Sequence, residues 1–538
     1  MDADDAANGM QRMKVRTLEE LENPAKTKRL DLDLSAAELQ RPQKLRSTST
    51  DTLSSLSPST STTSIESGGL TSTPDVGAKR PDFWTELLAL LGVAWPIILT
   101  AALEFLPDVL TMLFVGQIES EQNADYVAAA ALSVLWVAAV MSPGLGLAVA
   151  METLCAQAYG AGRIEDIAAF VRVGLLLLGA VFLPIASAVL HTEAAMLALG
   201  QPAEVAKLAG GFTRRMLPGI PFWLLHEVLK KVLQAQGHTQ IGMFTTLSNN
   251  VVNAALAAFV VHATSWGFHG VAAARCFANV TSFLLLVLFM RRHAKTLQLR
   301  WRSWRLMAST PQIEATLSLA IPGTGLVLLD LLAFEVTTAF LGHLPNSVVV
   351  IGANSVLTNV ANIASQIFAG VSTATSIGVG NSVGSGLIQQ ARHTSSVGVA
   401  AGLLLACAIS IGILASHRSL PHLFISDSAS IALAVDALLV VIPFVVSDAI
   451  NTAFLAVLRG TKQHKVAVIA NLVGFSAVGL PLGYFLTFNV GQGVAGFWIG
   501  VAFGNTASAL ISLAALLRYD WETPQQYQSA IVVRECDV

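Results

Sequence analysis

The sequence predicts an all-α polytopic membrane protein: twelve transmembrane helices in two six-helix lobes, related by a pseudo-two-fold axis along the membrane normal. Three observations predict it. The 538-residue chain is 53% hydrophobic and only 12% charged, with a mean hydropathy of +0.61, whereas a soluble chain carries about a quarter charged residues. Apolar runs of membrane length recur along most of it, and a crossing helix needs roughly 20 such residues. Short motifs also return at one constant offset.

The chain opens with a polar stretch, residues 1–80. STSTDTLSSLSPSTSTTSIESGG (47–69) offers too few apolar side chains to offset the entropy of ordering. A disordered cytoplasmic tail is expected there, without a cleavable signal peptide, because the first apolar segment begins so late. From Phe83 onward twelve hydrophobic segments centre near residues 101, 139, 179, 222, 252, 280, 328, 364, 405, 444, 476 and 505. Segments one to six make an N-lobe (81–290) and segments seven to twelve a C-lobe (312–517). A basic loop (291–311) joins them, and a second cytoplasmic tail (518–538) follows.

Loop charge sets the orientation. The loops after even-numbered segments are read to hold Arg163, then Lys230 and Lys231, then a run from Arg291 to Arg305, then Arg392, then Arg459, Lys462 and Lys465. The loop after segment one holds Glu119, Glu121 and Asp125 instead. Both termini are therefore expected in the cytoplasm. LRWRSWRL (299–306) would lie at that interface, its Trp rings among headgroups and its Arg side chains on water or lipid phosphate.

The repeat is read from AWPIIL against AIPGTG, YGAG against VGSG, and LPGIPF against IPFVVS. Pro96 and Pro322, Gly116 and Gly342, Gly160 and Gly384, and Pro218 and Pro443 all stand about 225 residues apart. Six crossings per half return the chain to the same side, so the halves run in parallel topology about an axis along the normal, with a cleft between them. That is the plan of an alternating-access carrier rather than of a pore.

Charge inside such segments asks for a reason. An ionised carboxylate at mid-membrane costs about 2.5–3.5 kcal/mol on insertion scales, and a carboxyl kept from water holds its proton more readily. Such a group couples naturally: protonated in one state, ionised and cation-binding in the other. Five acids fit: Glu104 and Asp108 in segment one, Asp330 and Glu335 in segment seven, Asp448 in segment ten. Thr100, Glu104, Asp108 and Thr111 form one polar stripe; Ser355, Asn359, Asn362 and Gln366 form another. Asp330 and Glu335 lie about 140° apart around an ideal helix, so one narrow cavity takes both only if the helix bends. Asp448 shares a face with Asn451. The plainer reading is that these groups pair with backbone or with one another and hold helices together. It suits the asparagines, Asn249, Asn250, Asn253, Asn471 and Asn505 above all. It suits the acids less, because Arg275 is the one evident intramembrane counter-charge, with Lys231 and Arg459 placed at helix ends where they snorkel.

Other chemistries find no foothold. No G-x-x-x-x-G-K-[ST] run supports nucleotide hydrolysis. His226-Glu227 is followed by Val-Leu-Lys rather than x-x-His, so it is not a zinc-protease helix. Cys155, Cys276, Cys407 and Cys536 lack metal spacing, and the first three read as membrane-buried thiols. A net charge of −3 argues against a nucleic-acid partner. No cofactor or metal is expected, and no glycan on Asn279, which falls inside a segment.

Three runs then bear a family likeness. AMETLCAQAYGAG (150–162) resembles a segment-two motif of the multidrug and toxic compound extrusion (MATE) transporters, with Glu152 where Asp is usual. LPGIPFWLLHEVLKKVLQAQG (217–237) is similar to the segment-four pattern. AVLRGTKQHKVAVIANLVGFSAVGLPLGY (456–484) is similar to the C-lobe pattern. The likeness runs from about Trp84 to Leu517 and is to eukaryotic-type members. It implies two six-helix lobes around a central cavity, no enzymatic activity, and exchange of protons or sodium for organic cations or other metabolites. Asp330 and Glu335 match two segment-seven acids, both Glu in eukaryotic members; Asp448, eleven residues before Arg459, matches a segment-ten acid. In those members these acids are implicated in proton coupling or cation binding. Asn359 stands where many eukaryotic members have Glu, and Gly378 where Arg is usual. Glu104 and Asp108 are acids that eukaryotic members generally lack.

The expectation is a proton-coupled antiporter that exports organic cations, xenobiotics or metabolites. Asp330 is the principal coupling acid, Glu335 and Asp448 meet the cation, and Glu104 and Asp108 form a second proton site. Asn359 and Gln366 join them as polar groups of the site. A monomer in contact with membrane lipid is expected, in the plasma membrane or a vacuolar or vesicular membrane. Sodium coupling and lipid-linked flipping on the same scaffold stay open, and a polytopic membrane enzyme is the distant alternative.

Overall fold

The computed structural model describes residues 82–293 and 310–521. The expected tail 1–80, LRWRSWRL, Cys536 and most of the C-terminal tail lie outside those residues. The described chain is helical, with no strand among the described residues. The crossing elements are α1 (Phe83–Gly116), α2 (Asn123–Gly160), α3 (Ile164–Leu190), α4 (Ala203–Met216), α5 (Ile220–Ala235), α6 (Thr239–Ala263) and α7 (Gly267–Arg292). The second half repeats them as α8 (Thr310–Leu341), α9 (Ser347–Gly384), α10 (Ile388–Ser416), α11 (Ser428–Leu438), α12 (Val441–Gly460), α13 (His464–Asn489) and α14 (Gly493–Arg518).

Eleven helical spans among the described residues are long and apolar enough to cross a membrane. The remaining crossing, the fourth, is broken: α4 and α5 meet at a 3-10 turn, Leu217–Gly219. Pro218 and Pro221 explain the break, since each lacks an N–H and its ring clashes with the preceding turn. The repeat does the same ahead of Pro443, where α11 gives way to α12. Asp427 caps α11 by accepting a hydrogen bond from the Ser430 amide at 2.9 Å. Pro96, Pro107 and Pro322, by contrast, lie inside continuous helices. In α13, π-helical turns at Val473–Gly479 and Phe485–Asn489 flank Pro481. A widened turn is one way to absorb a residue that cannot donate to the preceding carbonyl.

The two halves meet in reciprocal contacts, which is what a two-fold axis requires. Across the seam α1 packs on α9, and its repeat mate α8 packs on α2. Gly160 at the end of α2 lies against the Asn381 backbone, while Gly384 at the end of α9 lies against the Gln157 backbone. Gly146 meets Thr324, and Gly370 meets Ile98. Each pair is the other's image at the repeat offset. A β-carbon at any of these glycines would run into the opposing helix, so their lack of a side chain sets the closeness of the seam. Gln157 adds a polar tie, its Nε2 donating to the Gly460 carbonyl at 2.8 Å. The run resembling the segment-two motif thus sits at the lobe seam.

Near the start of α1, Glu86 is buried and accepts hydrogen bonds from Gln390 at 2.8 Å and from Thr394, both on α10. All these contacts lie on the half of the molecule nearest Phe83 and Arg518. Away from the seam, large apolar side chains such as Leu183, Phe259, Leu404 and Leu510 are exposed, as a lipid-facing surface demands. Cys155 is buried, but Cys407 is exposed on α10 rather than buried in the protein, because its face of the helix is an outer one.

Candidate functional site: acids of the two lobes

In the N-lobe Glu104, Asp108, Glu152 and Glu227 each meet a lysine or arginine, whereas buried Glu86 is held by Gln390 and Thr394. Asp108 Oδ1 lies 2.6 Å from Arg275 Nη1. Glu104 forms a salt bridge with Lys230, whose Nζ also stands 2.6 Å from Glu227 Oε2. Glu152 is buried and lies 2.6 Å from Lys231. Lys230 and Lys231 are therefore not loop residues, as their charge had suggested. Both lie within α5, Lys230 with only 2% of its side chain exposed. The hydrophobic segment runs a full turn past the first charge, because each lysine has a carboxylate waiting for it. Thr100 and Thr111, the other members of the first stripe, donate to the Pro96 and Pro107 carbonyls one turn back.

The C-lobe is arranged differently. Asp448 on α12 accepts from Ser365 Oγ at 2.6 Å and from Asn505 Nδ2 at 3.3 Å, and is half-buried. Among the described residues no lysine or arginine reaches salt-bridge distance of it. Asp330 is exposed mid-way along α8 and makes no side-chain hydrogen bond and no salt bridge to any described residue. Asp448 and Arg459 are the charged groups whose fields reach it. Arg459 spends its Nη2 on Ser372 Oγ at 2.6 Å, not on a carboxylate. Glu335 is exposed further along α8 and likewise has no such partner among the described residues.

Asn359 donates to the Ser355 carbonyl at 2.8 Å, and half-buried Gln366 makes no side-chain hydrogen bond among the described residues. The asparagines expected to be structural are largely so. Asn249 donates to Asn279, Asn250 to the Leu103 carbonyl, and Asn451 to Asn471, which also accepts from Ser508.

Sequence reasoning missed Glu227, Lys230 and Ser365. A signal existed for the first two: LHEVLKKVL places Glu227 and Lys230 three apart, one face of a helix. Ser365 carries none, being one of many hydroxyls. Among the described residues no group of three or more His, Cys, Asp or Glu side chains is placed to hold a metal.

Membrane-spanning helices, a duplicated bundle and carboxylates within its spans define a membrane transporter. The MatE family profile matches residues 96–259 and 325–485. The chain belongs to that family, the MATE transporters, which are carriers and not enzymes. Among curated relatives, "Multidrug and toxin extrusion protein 2" of Mus musculus is 31% identical over 452 residues, covering 83% of this chain and 76% of the relative. "Multidrug and toxin extrusion protein 1" of Homo sapiens is 30% identical, covering 82% and 76%. The solved structure of the eukaryotic MATE transporter AtDTX14 superposes with a TM-score of 0.75 at 22% identity, covering 82% of this chain and 98% of that one. An outward-facing MATE family transporter of the MOP superfamily gives 0.72 at 17% identity, covering 80% and 96%.

Proposed function

We propose that the chain exports organic cations or cationic metabolites in exchange for protons, with Asp330 as the coupling acid and Asp448 as its partner in binding the cation. The observation that carries this reading is the pair of C-lobe acids without a salt-bridged cation among the described residues, in a molecule that supplies one to each of Glu104, Asp108, Glu152 and Glu227. Leaving a mid-membrane carboxylate without a counter-charge is costly, so a chain that does so has a use for the vacancy. A proton neutralises Asp330 in one state; a cationic cargo does so in another, and loading one releases the other. Glu335 lies further along the same helix, placed to attract the cation, and Asn359 and Gln366 offer neutral polar contacts on α9. The names of the relatives, extrusion proteins for drugs and toxins, favour a broad cargo class over a single metabolite.

The reciprocal seam closes the side on which the described chain begins and ends. The basic loops assign that side to the cytoplasm, so this conformation is read as outward-facing. The chain would work as a monomer in lipid, each lobe rocking against the other about the seam.

Purified chain in proteoliposomes with a pH gradient tests the reading. Labelled tetraethylammonium should accumulate on the side that supplies protons, and Asp330→Asn should abolish this while binding of the folded protein to the detergent column is kept. Full gradient-driven uptake by Asp330→Asn would overturn the assignment. Uptake driven by sodium at clamped pH, and not by protons, would replace the coupling ion.

A further inference from the structure

A lysine breaks the two-fold symmetry of the acids. Glu104 on α1 and Asp330 on α8 occupy the same place in the repeat, 226 residues apart. Each lobe adds a second acid on its broken helix pair: Glu227 on α5, and Asp448 on α12 one helical turn earlier in the register. In the N-lobe Lys230 stands between the two acids, bridging Glu104 and Glu227, with Nζ to Glu227 Oε2 at 2.6 Å. At the matching place in the C-lobe the residue is Leu455.

The path of the lysine is built into the neighbouring helix. Gly242 on α6 faces its stem: a β-carbon there would stand 2.9 Å from Lys230 Cγ and 3.2 Å from Cδ. The repeat mate of Gly242 is Ala467. The side chain is absent only in the lobe where a lysine must pass. His226 Nε2 meets Thr245 Oγ1 at 2.9 Å, which holds the imidazole beside Glu227. Of the three charged members only Glu104 is substantially exposed, at 35% of its side chain, against 2% for Lys230 and 6% for Glu227.

We propose that Lys230 is a tethered occupant: its alkylammonium permanently fills, in the N-lobe, the kind of two-carboxylate cation site that the C-lobe leaves open for exchange. Lys230 thereby decides which lobe exchanges and how many cations move per cycle. A butylammonium held on its own chain outcompetes any free amine, because its effective concentration is on the order of millimolar or higher. The inference rests on Asp330 and Asp448 being the exchanging site, but its test does not.

Binding of labelled ethylammonium to the detergent-purified full chain reads it directly. Lys230→Ala should gain one bound ethylammonium per chain over wild type. The gain should persist in an Asp330→Asn background, vanish when Glu104→Gln is added, and be absent from Lys230→Arg. A monodisperse Lys230→Ala protein that binds no more than wild type overturns the proposal. If Lys230→Ala cannot be isolated alone, recovery on adding ethylammonium during expression and solubilisation supports the proposal, and failure to recover overturns it. A gain in Lys230→Ala beside an Asp330→Asn variant with unchanged transport would sink the C-lobe reading and leave the lysine assignment standing.

Discussion

The N-lobe and the C-lobe share a scaffold and differ in what balances their acids. Glu104, Asp108, Glu152 and Glu227 each meet a lysine or arginine. Asp448 meets a serine and an asparagine, and Asp330 meets no hydrogen-bonding or salt-bridging side chain among the described residues. A paired acid inside a bundle behaves as cement: removing one partner strands the other as an uncompensated charge. An acid without a counter-charge behaves as a receptor, because its ionised form is stabilised only by something that arrives. The fold alone does not separate these roles, since helix positions are matched across the axis. The side chain opposite each carboxylate does.

The widest contrast is expected between Asp330→Asn and Glu227→Gln. Asp330→Asn should cut proton-driven efflux by at least about tenfold, which corresponds to about 1.4 kcal/mol of lost coupling, with little change in melting temperature. Glu227→Gln leaves Lys230 with half-exposed Glu104 alone, and should lower stability by about 3 kcal/mol, seen as an earlier thermal transition in detergent. A variant pair behaving the other way round, with the melting loss in Asp330→Asn, would mean that the C-lobe acids are the cement.

Next in size comes the seam, which both lobes share equally. Gly160→Val and Gly384→Val each push a side chain into opposing backbone. Overpacking costs about 1–3 kcal/mol, here charged to the closed-seam conformation alone. The population should therefore move toward the state in which this side opens. Ser382, buried at 9% exposure, reports on it: as Ser382→Cys it should react faster with a membrane-impermeant maleimide when either valine is present. Equal effects from the two valines are what reciprocity predicts. A response to only one would show that the pseudo-symmetry fails at the gate.

Much of this was legible in the residues, for physical reasons. Hydropathy finds spans because the bilayer tolerates only satisfied backbone, and the repeat survives in its prolines and glycines because breaks and close approaches admit few substitutes. Charge in an apolar run stands out, so the acids of both lobes were singled out, Glu104 and Asp108 with Asp330, Glu335 and Asp448. The N-lobe pairs were not. Counting Lys230 and Lys231 as loop residues ended the fourth segment a turn early, since hydropathy scores a lysine as solvated and cannot see Glu104, 126 residues away. Which acids are neutralised is a property of packing between segments, and only the i, i+3 spacing of Glu227 and Lys230 hinted at it locally. The seam was illegible for the same reason: YGAG and VGSG could be aligned, but that each glycine touches the other's neighbour follows only from the fold.

The smallest effect on transport is expected from the connection between α12 and α13, whose residues bear on stability. Lys462 adopts φ +62°, where its repeat mate Gly237 has φ +83°. The left-handed region costs a side-chain-bearing residue about 1–2 kcal/mol, so Lys462→Gly should recover about that much in folding stability at a pH where the amine is neutral in both states. The amine carries a second penalty. Burial, and to a lesser degree Arg163, pushes its proton affinity from an ordinary 10.5 to about 7. Between those values the unfolded chain holds a proton that the folded chain has shed, so stability rises with pH across that window. The rise is complete near 10.5, and below about 7 the cost is constant because both states are charged. Thermal transitions of the wild-type chain between pH 7 and pH 10 should climb relative to those of Lys462→Gly. Since the strain term does not titrate, the two variants should lie furthest apart at the acid end of the window. Parallel curves would mean that Lys462 keeps its proton in the fold, leaving only the backbone to distinguish this corner of the C-lobe from its N-lobe image.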